Sequence, residues 1–221
     1  MSDRPLLPGL LCGLASDADL ARRLEFLVAV DALKQVQRRT RLFDGSRREN
    51  SAEHSWHLAL FALTLGPHAP PGADVGRAVA MLLLHDVVEV RAGDTFAYDA
   101  GAVAGQHARE SLAADELFGM LPAPQAGEFR ALWDEFEAGE TPTARFANAL
   151  DRLQPMMQND ANGGGTWREH GVTRGAVLGR AEPVLAGLPA VWEALCRTID
   201  AHCEAGAILG DGLRGATQPD G

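Results

Sequence analysis

The amino-acid sequence predicts an all-α fold, a single bundle of helices spanning residues 1–221. Apolar residues recur at helical spacing along most of the chain, whereas no segment shows the period-two alternation of a half-buried strand. Glycine, proline and polar residues separate the apolar segments at short intervals. No internal repeat, low-complexity tract or clear linker divides the chain, so one helical domain is the simplest prediction.

The predicted helices begin with a segment from Asp17 to Arg39, in which leucines and valines have helical spacing. Asn50 or Ser51 caps the next helix, and Gly66 followed by Pro67 ends it. The other predicted helices cover, in order, 76–90, 105–121, 124–139, 141–159, 173–187 and 188–206, with a glycine-rich loop at 162–171.

The charge and the cysteine content exclude several classes of protein. The formal net charge is −10, and such an acidic surface repels the phosphate backbone of a long nucleic acid. Three cysteines without metal-type spacing predict reduced thiols in a cytoplasmic protein. The N-terminal segment lacks the basic region of a signal peptide, and the longest apolar runs are too short to span a membrane.

The segment AVAMLLLHDVVEV places a polar pair in apolar surroundings. His85 and Asp86 lie in the middle of a predicted helix that is apolar nearly all round, and such helices are buried. A buried carboxylate is costly unless it is paired or binds a metal ion. Glu89 follows His85 by four residues and therefore shares its face of the helix. For the pair alone, hydrogen bonding to neighbouring backbone or to an arginine is the alternative interpretation.

Two further helices carry side chains of the types that bind metal ions. His54 lies near the N-terminal end of one helix, and Asp151 interrupts an apolar series in another. The predicted apolar face of the first helix consists of Trp56, Leu60, Leu63 and Thr64. Imidazole and carboxylate ligands suit manganese, iron, cobalt, nickel or zinc better than calcium. Two histidines and two aspartates would leave positions on a six-coordinate ion for water or a substrate oxygen.

Four segments carry a resemblance to a known family: RRENSAEHS, LLLHDVVEVRAGD, ALDRLQP and TWREHG. Together they resemble the HD-domain metal-dependent phosphohydrolases, and most of all the branch that contains the bacterial 5′-deoxynucleotidases. The resemblance runs from about Leu24 to the C-terminal helices. It implies one HD-type helical bundle, with a motif core at about 24–160 and C-terminal helices at 172–207 packed on it. It also implies a homodimer and one divalent metal ion held by His54, His85, Asp86 and Asp151.

Glu89 and Asp94 match an acidic pair that serves the reaction in the resembled family. A metal ion makes water a nucleophile at neutral pH. Hydrolysis then needs one group to position or deprotonate that water and another to protonate the leaving alkoxide. The sequence does not divide these roles between the two residues. The alternatives are that Glu89 supports a histidine ligand through a hydrogen bond and that Asp94 is a turn residue after Gly93.

A basic stretch at residues 34–48 precedes His54 in an otherwise acidic chain, and guanidinium groups bind phosphate oxygens through paired hydrogen bonds. For most of these residues, a solvated loop is the better interpretation. Arg39 is the exception, because it matches the position that holds the substrate phosphate in the resembled family. Thr40 stands where the deoxynucleotidases have a tryptophan that helps to exclude ribonucleotides, so the preference for deoxynucleotides is left open.

These observations predict a metal-dependent hydrolase that cleaves a phosphate monoester, such as a nucleoside 5′-monophosphate or a similar small phosphate. One alternative is a non-catalytic, regulatory metal protein that binds a nucleotide. Another is a di-iron oxygenase, for which His107 and Glu110 would supply additional ligands. The resembled oxygenases carry extra histidines after the HD pair at spacings that this chain lacks.

Overall fold

A computed structural model describes residues 17–94, 97, 98, 101 and 105–211 of the chain. The helices of this part are α1 (Ala18–Val30), α2 (Ser51–Leu65), α3 (Val75–Leu84), α4 (Glu89–Ala92), α5 (Gln106–Phe118), α6 (Ala123–Ala138), α7 (Pro142–Ala161), α8 (Gly165–Glu169), α9 (Arg174–Gly187) and α10 (Trp192–Glu204). The predicted all-α class is confirmed, because helices account for nearly all of the regular structure described. No helix among these residues is long and apolar enough to cross a membrane.

The first predicted helix is too long. Helix α1 ends at Val30, a 3-10 turn follows at Asp31–Gln35, and the chain then forms strand β1 (Gln37–Arg41). Strand β1 pairs in antiparallel orientation with β2 (Arg48–Asn50). Period-two alternation is hidden in these strands because the side chains that point inward are themselves polar. The hairpin matters for function because it brings a basic segment to the cavity described below.

Helix α7 is the central element of the core. Twelve of its residues are buried, and α2, α3, α6, α8 and α9 pack around it. Helix α9 approaches so closely that a Cβ atom at Gly187 would lie 2.0 Å from the carbonyl oxygen of Arg145, so only glycine fits there. The largest buried side chains of this core include Leu58, Met81, Leu82, Phe146, Leu150 and Trp167. A smaller apolar cluster joins α1, α5 and α6.

The predicted apolar face of α2 is wrong. Trp56 is 60% exposed and Leu63 is 61% exposed, whereas the face turned to the core contains His54, Leu58 and Ala62. Helix α2 is apolar on nearly all sides, so hydrophobic periodicity alone did not distinguish its two faces. The buried face is the one that carries His54. The predicted N-cap is present, because the Asn50 side chain accepts a hydrogen bond from the backbone N–H of Glu53.

The prediction that His85 and Asp86 lie in mid-helix is also wrong. Helix α3 ends at Leu84, and residues 85–88 form a turn before α4 begins at Glu89. In this turn the backbone N–H of Val87 bonds to the Leu84 carbonyl at 3.1 Å, which is the tighter i to i−3 pattern. The turn interrupts the helix that the apolar pattern predicted to continue. His85 and Asp86 are both buried in it.

Candidate metal centre

Three elements bring potential metal ligands together in the interior. His54 comes from the first turn of α2, His85 from the turn after α3, and Asp151 from the middle of α7. One ligand atom from each of the three residues lies within 4.8 Å of the others, and all three residues are buried. Oδ1 of Asp151 is 3.0 Å from Nε2 of His54 and 3.6 Å from Nε2 of His85. The spacing is that of side chains that share one small central position.

Asp86 lies at the edge of this group. Its Oδ1 is 3.1 Å from Nε2 of His85, and its Oδ2 is 3.9 Å from Nε2 of His54. Oδ2 also accepts a hydrogen bond of 2.8 Å from Nη1 of Arg38. The structure therefore places Asp86 beside the other three predicted ligands, with one of its oxygens bound to an arginine.

In the neutral form of both histidines, the ring proton is on Nδ1 and Nε2 carries a lone pair. Nδ1 of His85 faces the carbonyl oxygen of Leu82 at 2.9 Å, and Nδ1 of His54 faces Oε1 of Gln154 at 3.1 Å. Both partners are acceptors, so each Nδ1 carries the ring proton. Each Nε2 then presents a lone pair to carboxylate oxygen, and His85 Nε2 has no hydrogen-bond partner among the described residues. Two acceptors this close are stable when a cation lies between them, so the donor set fits a divalent metal ion.

The electrostatics of the site favour added positive charge. Burial alone would lower the pKa of His85, but the carboxylates of Asp86 and Asp151 outweigh it and raise that pKa to about 9. Burial alone would raise the pKa of Asp151, yet Arg152 and the two histidines hold it well below its usual range. The carboxylate of Asp151 thus stays ionised and attracts a cation or, in its place, a proton on His85.

Glu49 supports His54 from the side opposite the carboxylates. It is 1% exposed, and its Oε2 lies 3.3 Å from Nδ1 of His54. Its Oε1 accepts hydrogen bonds from the side-chain amides of Gln154 at 2.8 Å and Gln158 at 2.9 Å. Sequence reasoning missed this network, although two glutamines one turn apart in the apolar face of α7 were a signal for it. The network holds the imidazole of His54 in one orientation.

Glu89 and Asp94 lie beside the ligands and line the adjoining cavity. Glu89 begins α4, is 7% exposed, and accepts a hydrogen bond of 2.6 Å from the Ser51 hydroxyl. Burial, followed by the charge of Asp86, raises the pKa of Glu89 well above its usual value. Burial also raises the pKa of Asp94. Both groups are therefore placed and tuned to exchange a proton with a molecule in the cavity.

The cavity next to the centre has a volume of about 360 Å³. The side chains of Arg38, Arg39 and Thr40 from strand β1 form part of its wall. Arg38 and Thr40 alternate with the exposed Arg39, and it is Arg38 that contacts a predicted ligand, Asp86. Burial would lower the pKa of Arg38, but the surrounding carboxylates raise it, so it stays charged. Arg39 was the sequence-based candidate for phosphate binding, whereas Arg38 was interpreted, like most of the basic stretch, as part of a solvated loop.

His57, His107 and Glu110 have different surroundings. His57 packs against the rings of Phe61 and Phe43, with centroids 4.9 and 5.9 Å away. His107 and Glu110 both line the cavity, on its α5 side. Within the described ranges they do not join the cluster of metal-type ligands around Asp151. The geometry groups them with the cavity wall.

Comparisons with known proteins cover most of the chain. The family model described as HD domain matches residues 30–192. The chain is 28% identical over 136 residues to the 5′-deoxynucleotidase HDDC2 of Danio rerio. This match covers 61% of this chain and 66% of that protein. The 5′-deoxynucleotidase hdd1 of Schizosaccharomyces pombe is 25% identical over 138 residues, 60% of this chain and 68% of that one. The match to the HDDC2 relatives spans just under two thirds of their length.

A solved structure matches a larger part of the chain. It is the crystal structure of a predicted metal-dependent phosphohydrolase from Magnetospirillum magnetotacticum MS-1. The sequence identity is 45%, the TM-score is 0.82, and the match covers 87% of this chain and 99% of that one. The two proteins therefore share a fold over most of this chain.

Proposed function

Because this chain belongs to the HD domain family, we propose that it is a metal-dependent phosphohydrolase that cleaves a small phosphate monoester. The observation that carries the proposal is the pair of histidines whose Nε2 atoms face the oxygen of one buried aspartate, while each Nδ1 faces an acceptor. The names of the relatives, metal-dependent phosphohydrolase and 5′-deoxynucleotidase, support the same chemistry.

We propose one divalent ion of the manganese, iron, cobalt, nickel or zinc type, with His54, His85, Asp86 and Asp151 as its ligands. Nitrogen and carboxylate oxygen together suit these ions, and the four side chains already lie around one position. When bound, such an ion polarises a phosphoryl group and lowers the pKa of water. The ion-pair partner of Asp86, Arg38, keeps one carboxylate oxygen oriented for this role.

The side chains of the cavity supply the rest of the reaction. Hydrolysis removes a proton from the attacking water and delivers one to the leaving alkoxide. Glu89 and Asp94 are the carboxyl groups of the cavity placed next to the ligands, so we assign the two proton transfers to this pair. Arg38 carries a buried positive charge beside Asp86, and Arg39 lines the same wall, so both are placed to bind phosphate oxygens.

The substrate that fits best is a nucleoside 5′-monophosphate or a similar small phosphate. A cavity of about 360 Å³ lies within the range of small-molecule sites. The curated relatives are named 5′-deoxynucleotidases, which favours a nucleotide. Thr40 lines the wall in place of the tryptophan implied by the resemblance, so we propose that this position does not select for deoxyribose.

Phosphate release from a panel of nucleotides and other small phosphate esters tests the proposal. The metal-free protein is loaded separately with Mn²⁺, Co²⁺, Ni²⁺, Zn²⁺, Fe²⁺ or Mg²⁺, and free phosphate is measured over time. We expect release from at least one ester, only in the loaded protein, with one bound ion per chain. Absence of release from every ester would leave a nucleotide-binding metal protein, and two bound irons would favour an oxygenase.

We also propose that the protein is a cytoplasmic homodimer that associates through the outer face of α2. Trp56, Leu60 and Leu63 are each more than 40% exposed on this helix and form one apolar surface. Contiguous exposed apolar surface is typical of a protein interface. The occupant we propose is a second copy of the chain, because a closed symmetric dimer is the commonest assembly of soluble proteins.

A further inference from the structure

One wall of the cavity carries a positive charge that the described residues do not neutralise. Arg180 extends from α9 into this wall and forms no hydrogen bond or ion pair with any described residue. Burial, followed by the charge of Arg152, lowers the pKa of Arg180 to about 10. Arg180 is partly buried, and a partly buried guanidinium group without a partner favours an anion from outside the chain.

Arg152, on α7, lines the same cavity as Arg180. Its Nη1 contacts Oδ2 of Asp151, whereas Oδ1 is the oxygen that faces His54 and His85. Arg152 therefore binds the carboxylate oxygen that the histidines do not contact. The charge of Arg152 also acts on Arg180 more strongly than that of Asp151 or Arg38. The two arginines therefore form a positive region of the cavity wall next to the metal centre.

Asn159 adds a neutral donor to the same wall. It follows Arg152 by seven residues on α7, which is two turns along the same face of the helix. Its Oδ1 accepts hydrogen bonds from the backbone N–H and the hydroxyl of Thr166, at 2.9 and 3.0 Å. The glycine at 165 is required by this contact, because a Cβ atom there would lie 2.4 Å from Oδ1. With Oδ1 engaged, the amide N–H groups of Asn159 are left as donors on a cavity-lining residue.

We propose that Arg180, Arg152 and Asn159 form a second anion subsite, which binds a charged group of the substrate other than the phosphate that is hydrolysed. The inference rests on the proposed function and narrows its substrate to a small phosphate ester that carries a second phosphate or a carboxylate. All three side chains offer hydrogen-bond donors, and two of them are cations. Arg38 instead contacts Asp86, and the proposed function assigns it to the phosphate that reacts.

Matched pairs of substrates test the subsite. One pair is a nucleoside 3′,5′-bisphosphate and the corresponding 5′-monophosphate, which differ only in the second phosphate. The other pair is a phosphorylated hydroxy acid and its methyl ester, which differ only in the carboxylate charge. We expect the metal-loaded protein to have a higher kcat/KM for the charged member of at least one pair, and that pair identifies the anion. Equal values within both pairs would overturn the proposal.

Arg180→Met is the variant that removes the subsite, and Arg174→Met is its control, because Arg174 lies on the same helix but pairs with Asp200 at the surface. We expect Arg180→Met to lower kcat/KM for the charged member by about tenfold or more, through KM, because a hydrogen bond to a charged group is lost. The uncharged member and the control should change little. An equal loss for both members of a pair would instead assign Arg180 to the reacting phosphate and overturn the proposal.

Binding without turnover separates this inference from the proposed function. The metal-loaded Glu89→Gln protein, in which turnover is slowed, is titrated calorimetrically with the bisphosphate and with the monophosphate, with and without Arg180→Met. We expect the ratio of the two Kd values to favour the bisphosphate when Arg180 is present and to fall towards one in Arg180→Met, even if neither ester is hydrolysed. An unchanged ratio in a folded variant, verified by its melting temperature, would refute the subsite. Arg180→Lys should recover part of the preference, because it restores the charge but not the paired donors.

Discussion

Nε2 of His54 lies 3.0 Å from Oδ1 of Asp151, although the ring proton of His54 is held on the opposite nitrogen. Two acceptors are therefore turned towards one another in a buried site. This arrangement is stable with a cation between the two atoms. A metal ion bound there would link the metal content of the protein to its activity and its stability.

Substitutions of Asp86, in the turn after α3, and of Glu89, at the start of α4, should separate metal binding from turnover. Asp86→Ala removes a proposed ligand and should abolish both bound metal and phosphate release. Glu89→Gln removes a proton-transfer group and should retain metal while lowering kcat by about 10²-fold or more. Metal content by mass spectrometry and steady-state phosphate release measure the two effects. Activity retained in Asp86→Ala would refute the ligand assignment.

Glu49→Gln should weaken metal binding without touching a ligand. The carboxylate of Glu49 lies 3.3 Å from Nδ1 of His54. Its charge makes Nε2 of the same ring a stronger electron-pair donor to a metal ion. We expect a loss of metal affinity of about 10- to 100-fold, measured by titration against a competing chelator. Glu193→Gln, an exposed glutamate on α10, is the matched control. Equal affinity in the two variants would show that Glu49 has no role in positioning His54.

The two neighbouring arginines of β1 should differ in their effect on substrate binding. Arg38 reaches the metal centre, whereas Arg39 points to the more exposed side of the strand. We expect Arg38→Met to lower kcat/KM by at least about tenfold, and Arg39→Met to have the smaller effect. Metal content is measured alongside, because Arg38 also contacts Asp86. A larger loss in Arg39→Met would return the phosphate-binding role to the residue predicted from the sequence.

The stability of the metal-free protein should fall as the pH rises from about 6.5 to 9. The folded-state pKa of His85 is raised to about 9, so its contribution to stability is fully present below the unfolded pKa of about 6.5. That contribution is lost as the pH rises through the folded value. The raised pKa of Glu89 acts in the same direction, from a lower starting pH. Melting temperatures across this range should decline for the metal-free protein, and much less for the metal-loaded protein, in which the ion replaces the proton.

A charge on the outer face of α2 should prevent the proposed dimer. Leu63 is 61% exposed, so Leu63→Glu adds a carboxylate to this face without disturbing the core. We expect the variant to elute as a monomer in light-scattering chromatography, with its melting temperature at low protein concentration unchanged. Leu112→Glu is the control, since Leu112 is 71% exposed on α5. A wild-type protein that is monomeric, or a variant that still dimerises, would contradict the proposed interface.

Local patterns in the sequence were enough to predict the helical class, several caps and the residue types of the site. Asn50 caps α2 as predicted, and Thr141 caps α7, with Pro142 at its first position. These features depend on residues a few positions apart, and such residues contact one another within a single helix. The histidines and aspartates stood out for a related reason, because each is a polar residue in an apolar segment, where burial is costly without a partner.

Only the tertiary structure decided which side chains meet. Asp151 reaches His54 across 97 residues, and Arg38 reaches Asp86 across 48, so no local periodicity records either contact. The hairpin that carries Arg38 escaped prediction because its inward side chains are polar, and the buried face of α2 did so because both faces are apolar. In each case, the structure that forms and the face that is buried depend on which element packs against the segment. The free energy of that burial comes from contacts with distant parts of the chain, which local sequence patterns do not contain.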